Sequence, residues 1–169
     1  MSLSMYDLTV PIMLRGIDIL IIYMDKAEHY AKEKGIAPEV LITARLAPDM
    51  LPLSGQIQRF SDNCKGSIAH LAAIEAPSHP DNETTFVELK ERLAKTAAFL
   101  KTIKPEQLEG SENHLIELKL RGFSTTLSGK AYLLSMVLPN IFFHMTTVHD
   151  ILRHNGMNIG KLDYLGNFN

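Results

Sequence analysis

Apolar residues recur every three or four positions over most of this chain, and the places where that rhythm fails divide it into elements. Met13, Ile17, Leu20, Ile21, Met24, Ala27 and Ala31 share one helical face, which predicts a first helix of about 25 residues ended by Gly35. Two starts fit it. Ser4 and Asp7 have the spacing of a capping box, which opens the helix near Met5, and Thr9 stands just before Val10-Pro11. Pro38 to Arg45 reads as a short helix, broken by Ala47-Pro48-Asp49 and Pro52. A second long helix, 53–74, is carried by Leu53, Ile57, Phe60, Cys64, Ile68, Leu71 and Ile74. Gln56, Asn63, Ser67 and His70 form a polar strip beside that face, the usual mark of a boundary or solvated surface.

Pro77 to Asn82 is a loop by composition, with His79 expected to be exposed. Thr84 or Thr85 can cap a third helix, with Glu88 at capping-box spacing from Thr85, and Phe86, Leu89, Leu93, Ala97 and Leu100 supply its stripe until Pro105. After His114 the period drops to two. Ile116, Leu118 and Leu120 alternate with Glu117, Lys119 and Arg121, and past Gly122 the residues Phe123, Thr125 and Leu127 alternate with serines and threonines. A short β-hairpin is therefore expected before the last helix. That helix spans 130–155, kinked or divided at Pro139, and Gly156 closes it. The tail carries Ile159, Leu162, Tyr164, Leu165 and Phe168 and is expected to pack along the bundle.

A chain of 169 residues with 46% hydrophobic and 21% charged residues suits one domain with a real core, taken as 1–169, and argues against disorder. The formal charge is -2 with both signs interleaved, so no nucleic-acid partner is expected. A single cysteine, Cys64, rules out an internal disulfide and reads as a small buried hydrophobe. The N-terminus lacks the pattern of a signal peptide. The apolar run from Ile17 to Met24 is interrupted by Asp18 and falls short of the roughly 20 residues of a membrane span. No membrane association is expected, and the expected location is the cytoplasm.

The richest stretch for chemistry is Pro139 to Gly156, with His144, His149 and His154. Imidazoles four apart on a helix can share one ion, but four after His144 stands Val148. His149 lies about 140° around the helix from His144, and His154 about 15 Å along it. His144 shares its face with Thr147, Val148 and Ile151 and should point inward, bonded to Gln56 or Tyr23. His149 and Arg153 should face away from the core as a solvated or dimer surface. Phosphate-binding glycine loops and dinucleotide fingerprints are absent.

Phe143-His-Met-Thr-Thr in the last helix, Leu152-Arg-His-Asn-Gly followed by Gly160-Lys-Leu-Asp-Tyr-Leu-Gly, Ala44-Arg-Leu-Ala-Pro-Asp-Met, and Gln56 to Asp62 together resemble the DinB/YfiT-like superfamily. The closer likeness is to a bacterial branch catalogued as a domain of unknown function. The resemblance covers nearly the whole chain and implies an all-α, DinB-like four-helix bundle, often a homodimer. It also implies a divalent-metal site in better-known relatives, built from one histidine of helix two and two of the last helix spaced four apart. Here Gln56 and Asn63 occupy the helix-two face where an imidazole is expected, so that site is absent or rebuilt. The expectation is a small-ligand-binding or dimeric interaction protein, with Gln56, Asn63, His144 and Thr147 as candidate ligand-binding residues. The alternative is a divalent-metal-dependent transferase or hydrolase rebuilt around His144, the one candidate metal ligand.

Overall fold

The computed structural model describes residues 3–120 and 122–167, apart from the side chains of Leu120 and Phe123. The expected roles of Arg121 in the hairpin turn and Phe168 in the tail lie outside the described residues.

Helix α1 spans Val10–Lys34 and takes the second of its two expected starts, after Thr9. The Ser4/Asp7 capping box forms, with Asp7 N–H donating to Ser4 Oγ at 3.1 Å and Ser4 N–H to the Asp7 carboxylate at 3.0 Å, but it closes a separate turn. Pro11 is the reason. A helix running through from Met5 would need a Pro11 N–H for the Asp7 carbonyl and would drive the proline ring into it, whereas a first-turn proline has no such bond to make. Gly35 ends α1 in the left-handed region at φ 64°.

Short α2 (Pro38–Ile42) leads to α3 (Leu53–Ala72), which stops two residues before the expected end, at Ala73 with φ 53°. The Thr85/Glu88 capping box opens α4 (Phe86–Leu100) as expected. Strands β1 (Leu115–Leu120) and β2 (Phe123–Ser128) pair antiparallel with Ile116 opposite Leu127 and Leu118 opposite Thr125. Ile116 and Leu118 are buried on the inner face, while Glu117 and Lys119 are exposed.

The last helix is not divided at Pro139. It runs from Gly129 to His154 as α5 (Gly129–Tyr132), a π-helical turn (Leu133–Val137) and α6 (Leu138–His154). Pro139 lacks an N–H and its ring would strike the carbonyl four residues back, Ser135, in an unbroken α-helix. The wider π turn is centred on that carbonyl and makes the room; its bond runs from Leu138 N–H to Leu133 C=O. By length and composition this helix is apolar enough to cross a membrane, but its inward face, Ile141, Met145, Val148, Ile151 and Leu152, is buried in the bundle.

Helix α3 packs against both α6 and α4, and α4 against α1. Met13, Ile17, Leu20, Tyr23, Phe60, Ile68, Leu93 and Val148 make one continuous core between them. At roughly 25 cal/mol per Å2 of apolar surface removed from water, this burial is the main force holding the helices together. The fold is thus an all-α four-helix bundle with a β-hairpin before the last long helix. The tail packs as expected, with Met157 and Ile159 buried and α7 (Lys161–Leu165) tied to α1 by the Asp163–Lys26 ion pair.

Candidate functional site

Three arrangements of polar side chains lie on or around α3, and each begins from a position that the helical period fixes. The first is at its N-terminal half, where Gln56 faces α6. His144 is only 9% exposed, and its Nδ1 lies 2.8 Å from Gln56 Oε1. Gln56 Nε2 donates to the Leu51 carbonyl at 3.1 Å, which turns the amide oxygen toward the imidazole and makes His144 Nδ1 the donor. Burial, with Arg59 nearby, lowers the His144 pKa to about 4, so the ring is neutral at pH 7. Thr147 is buried as well, but its hydroxyl donates to the Phe143 carbonyl of its own helix at 2.8 Å. Tyr23 is not the partner of His144. Its hydroxyl shares a 2.7 Å hydrogen bond with His149 Nδ1, and the His149 ring packs edge-on to Tyr164. His149 is therefore half-buried between α1 and α7 rather than facing away from the protein, because the tail folds back over it. Arg153 is exposed as expected, and His154 is exposed at the helix end.

This centre does not fit a metal ion. Its donor set is one imidazole nitrogen, since the Gln56 oxygen is taken by Nδ1–H and Val148 stands where a second histidine would lie. Among the described residues no group of three or more His, Cys, Asp or Glu side chains is placed to hold an ion.

The second arrangement surrounds Arg92, a residue that the sequence reading passed over. Its side chain is 1% exposed and donates to Pro80 C=O at 3.0 Å, Glu83 Oε1 at 2.9 Å and Asp62 Oδ1 at 2.7 Å, with Asp81 at 3.0 Å. Burial opposes the charge, but Glu83, Asp62 and Asp81 outweigh it and raise the guanidinium pKa. Burial likewise pushes the Glu83 carboxyl up, yet hydrogen bonds from Arg92 and Gln58 overcome it and hold it below its ordinary value. The 77–83 loop is thereby fastened to α3 and α4. His79 in that loop is half-buried rather than exposed, and burial, together with Lys65 and Arg92, lowers its pKa. A signal existed, since Arg92 is three after Leu89 and four before Thr96, on the inward stripe of α4.

The third arrangement is the polar strip at the C-terminal half of α3. Asn63, Ser67 and His70 line a cleft of about 430 Å3, walled opposite by Glu117, Leu118 and Lys119 of β1 and closed below by Tyr132 and Met136. His70 Nδ1 lies 3.2 Å from the Tyr132 hydroxyl, and their rings are tilted by 50° with centroids 5.9 Å apart. Burial raises the Tyr132 pKa, partly offset by Ser67, so the phenol keeps its proton at pH 7. Asn63 accepts from Asn140 at 2.8 Å. The π turn carries Met136 into this wall. Of the four candidate binding residues, then, the fold joins Gln56 to His144, places Asn63 in the cleft, and commits Thr147 to its own helix.

Residues 5–165 match the model of a family described as a domain of unknown function, DUF1993. The chain belongs to the DUF1993 family. Among solved structures, this DUF1993 chain is similar to a DinB family member protein from Shewanella denitrificans, with 35% identity and a TM-score of 0.90. The match covers 96% of this chain and 92% of that one. No curated protein matches. The DinB-like fold of this DUF1993 chain therefore comes without a three-histidine centre among its described residues.

Proposed function

We propose that this DUF1993 protein is a metal-independent binding protein whose recognition site is the cleft between α3 and the β-hairpin. The observation that carries this reading is the convergence of Asn63, Ser67, His70 and Tyr132 on one open cavity of about 430 Å3, within the size range of small-ligand sites. Two other regions support it less well. The apolar cleft of about 310 Å3 between α1, α6 and α7 has Arg15 as its one charged group, and Arg15 donates to the Leu165 carbonyl. The His144 centre offers fewer groups, since Gln56 is committed to His144 and the Leu51 carbonyl.

The test has two arms, both on full-length protein purified without a metal-affinity tag. In the first, a fragment library is mapped onto the backbone amides, and binders are expected to perturb Asn63, Ser67, His70 and Tyr132. Binders that perturb none of these remove the cleft assignment. In the second, elemental analysis of wild type and His144→Ala is expected to find no stoichiometric divalent metal in either. Metal present in wild type and lost in the variant would restore the metal-dependent alternative.

A further inference from the structure

The opposite wall of this cleft is a strand edge, and its backbone polarity is set by one bond outside the strands. Gly129 N–H donates to His114 C=O at 2.8 Å, extending the β1–β2 ladder by a pair. In an antiparallel ladder bonded pairs alternate, so residues 114, 116 and 118 direct their backbone groups at β2, and Glu117 and Lys119 direct theirs to the other edge. No described residue bonds to those outward groups, and they belong to the residues that wall the cleft. Two residues along a strand is about 7 Å, the repeat of an extended peptide.

A second observation comes from α3. Gly66 sits in mid-helix, where glycine costs roughly 0.5–1 kcal/mol relative to alanine. Its φ is ordinary and a Cβ there would meet nothing within 4 Å, so neither backbone geometry nor internal packing requires it. Gly66 lines the cleft between Asn63 and Ser67. The missing side chain keeps open a space that no part of the described chain fills.

We infer that the cleft takes an extended peptide from another molecule, paired through its backbone to the free edge of β1 and lying along the polar strip of α3. The inference rests on the cleft being the binding site. A peptide there is sandwiched between strand and helix, with Gly66 admitting its main chain. Its side chains on the α3 side are uncharged, because Asn63, Ser67 and Tyr132 are uncharged and already bonded to Asn140, the Asn63 carbonyl and His70, and the Asp62 carboxylate is held by Arg59, Lys65 and Arg92. The segment engaged is about three residues long, the span from Glu117 to Lys119.

The probe is a pool of N-acetylated, C-amidated hexapeptides randomised over uncharged residues, titrated into isotope-labelled full-length protein. Amide shifts are expected at Glu117 and Lys119 together with Ser67 and His70. Two further pools each carry three N-methyl groups, one at alternate residues and one at three consecutive central residues. Alternate methylation leaves one whole edge of the peptide able to pair, so that pool should bind within about twofold of the parent, and the consecutive pool about tenfold more weakly. Equal weakening of both pools overturns backbone pairing. Gly66→Phe, whose fold is checked by circular dichroism, should abolish peptide binding; retained binding overturns the placement along α3. If fragments perturb the cleft while peptides leave Glu117 and Lys119 unmoved, the peptide inference fails and the binding-site reading stands. If neither perturbs the cleft, both fail.

Discussion

Gln56 and His70 lie on the same face of the same helix, yet one belongs to a closed centre and the other to an open cleft. At the first, every strong hydrogen-bonding group of α3 is used up inside the protein: the Gln56 amide bridges His144 and the Leu51 carbonyl, and Thr147 turns back on its own helix. At the second the side chains are paired too, His70 with Tyr132, Asn63 with Asn140 and Ser67 with the Asn63 carbonyl, but they border a free strand edge and an empty space above Gly66. The lesson is that a histidine's burial is a poor guide to its use. The most deeply placed imidazole here is a core group held neutral, and the more exposed one borders the cleft proposed as the binding site.

The largest effect is expected at the Arg92 cluster, which fastens the 77–83 loop to α3 and α4 beside both regions. Arg92→Met should cost about 3 kcal/mol in urea unfolding, since it leaves the largely buried Glu83 without its cation and Asp62 and Asp81 held only by the more exposed Arg59 and by Lys65. The loss should shrink in acid as those carboxylates protonate. Next comes the closed centre itself. The folded-state pKa of His144, about 4, lies below that of the unfolded chain, so the unfolded chain binds more protons between pH 6.5 and 4 and stability falls as pH drops through that window. The decline attributable to His144 is at most about 3 kcal/mol, and unfolding curves of His144→Gln should be flatter by that amount. His79, also held below its ordinary range, adds the same sign and remains in that variant.

Gln56→Leu strands the His144 N–H in an apolar setting and should destabilise by about 2 kcal/mol, which thermal denaturation would resolve; a neutral result would mean the centre is not closed. The smallest expected change has the opposite sign. Gly66→Ala should stabilise by about 0.5–1 kcal/mol, because α3 gains helix propensity and the new methyl meets nothing. A destabilised Gly66→Ala would show that the glycine serves the fold, and the contrast between the two halves of α3 would lose its clearest mark.

The bundle and the hairpin were legible because period alone reports them: a 3.6-residue rhythm in α1, α3, α4 and α6, a two-residue rhythm in β1 and β2. The inward direction of His144 followed from the same geometry, which left Gln56 and Tyr23 both open as its partner. Partners set by the tail were not legible, since His149 becomes half-buried only because Tyr164 returns along the bundle from fifteen residues later. The Arg92 cluster was hidden differently. Its helical position pointed inward, but its carboxylates come from α3 and from a loop whose composition says only that it is a loop. The cleft depends on where the hairpin rests against α3, and a strip of polar residues carries no trace of that until the hairpin is placed.

The π turn between α5 and α6 has a consequence for how the chain tolerates change in length. An extra residue in one turn shifts the rotational phase of everything on either side by about 100° relative to an unbroken helix. Tyr132 and Ile141 thus both point inward although a straight helical wheel would not align them with their present neighbours. Deleting one residue from Leu133–Val137 would remove the π turn, bring the Pro139 ring against the carbonyl four residues back and swing Tyr132 away from His70, while α6 stayed seated in the core. The cleft wall and the bundle core are in this sense set by separate clocks on one helix, and a single-residue deletion would reset only one of them.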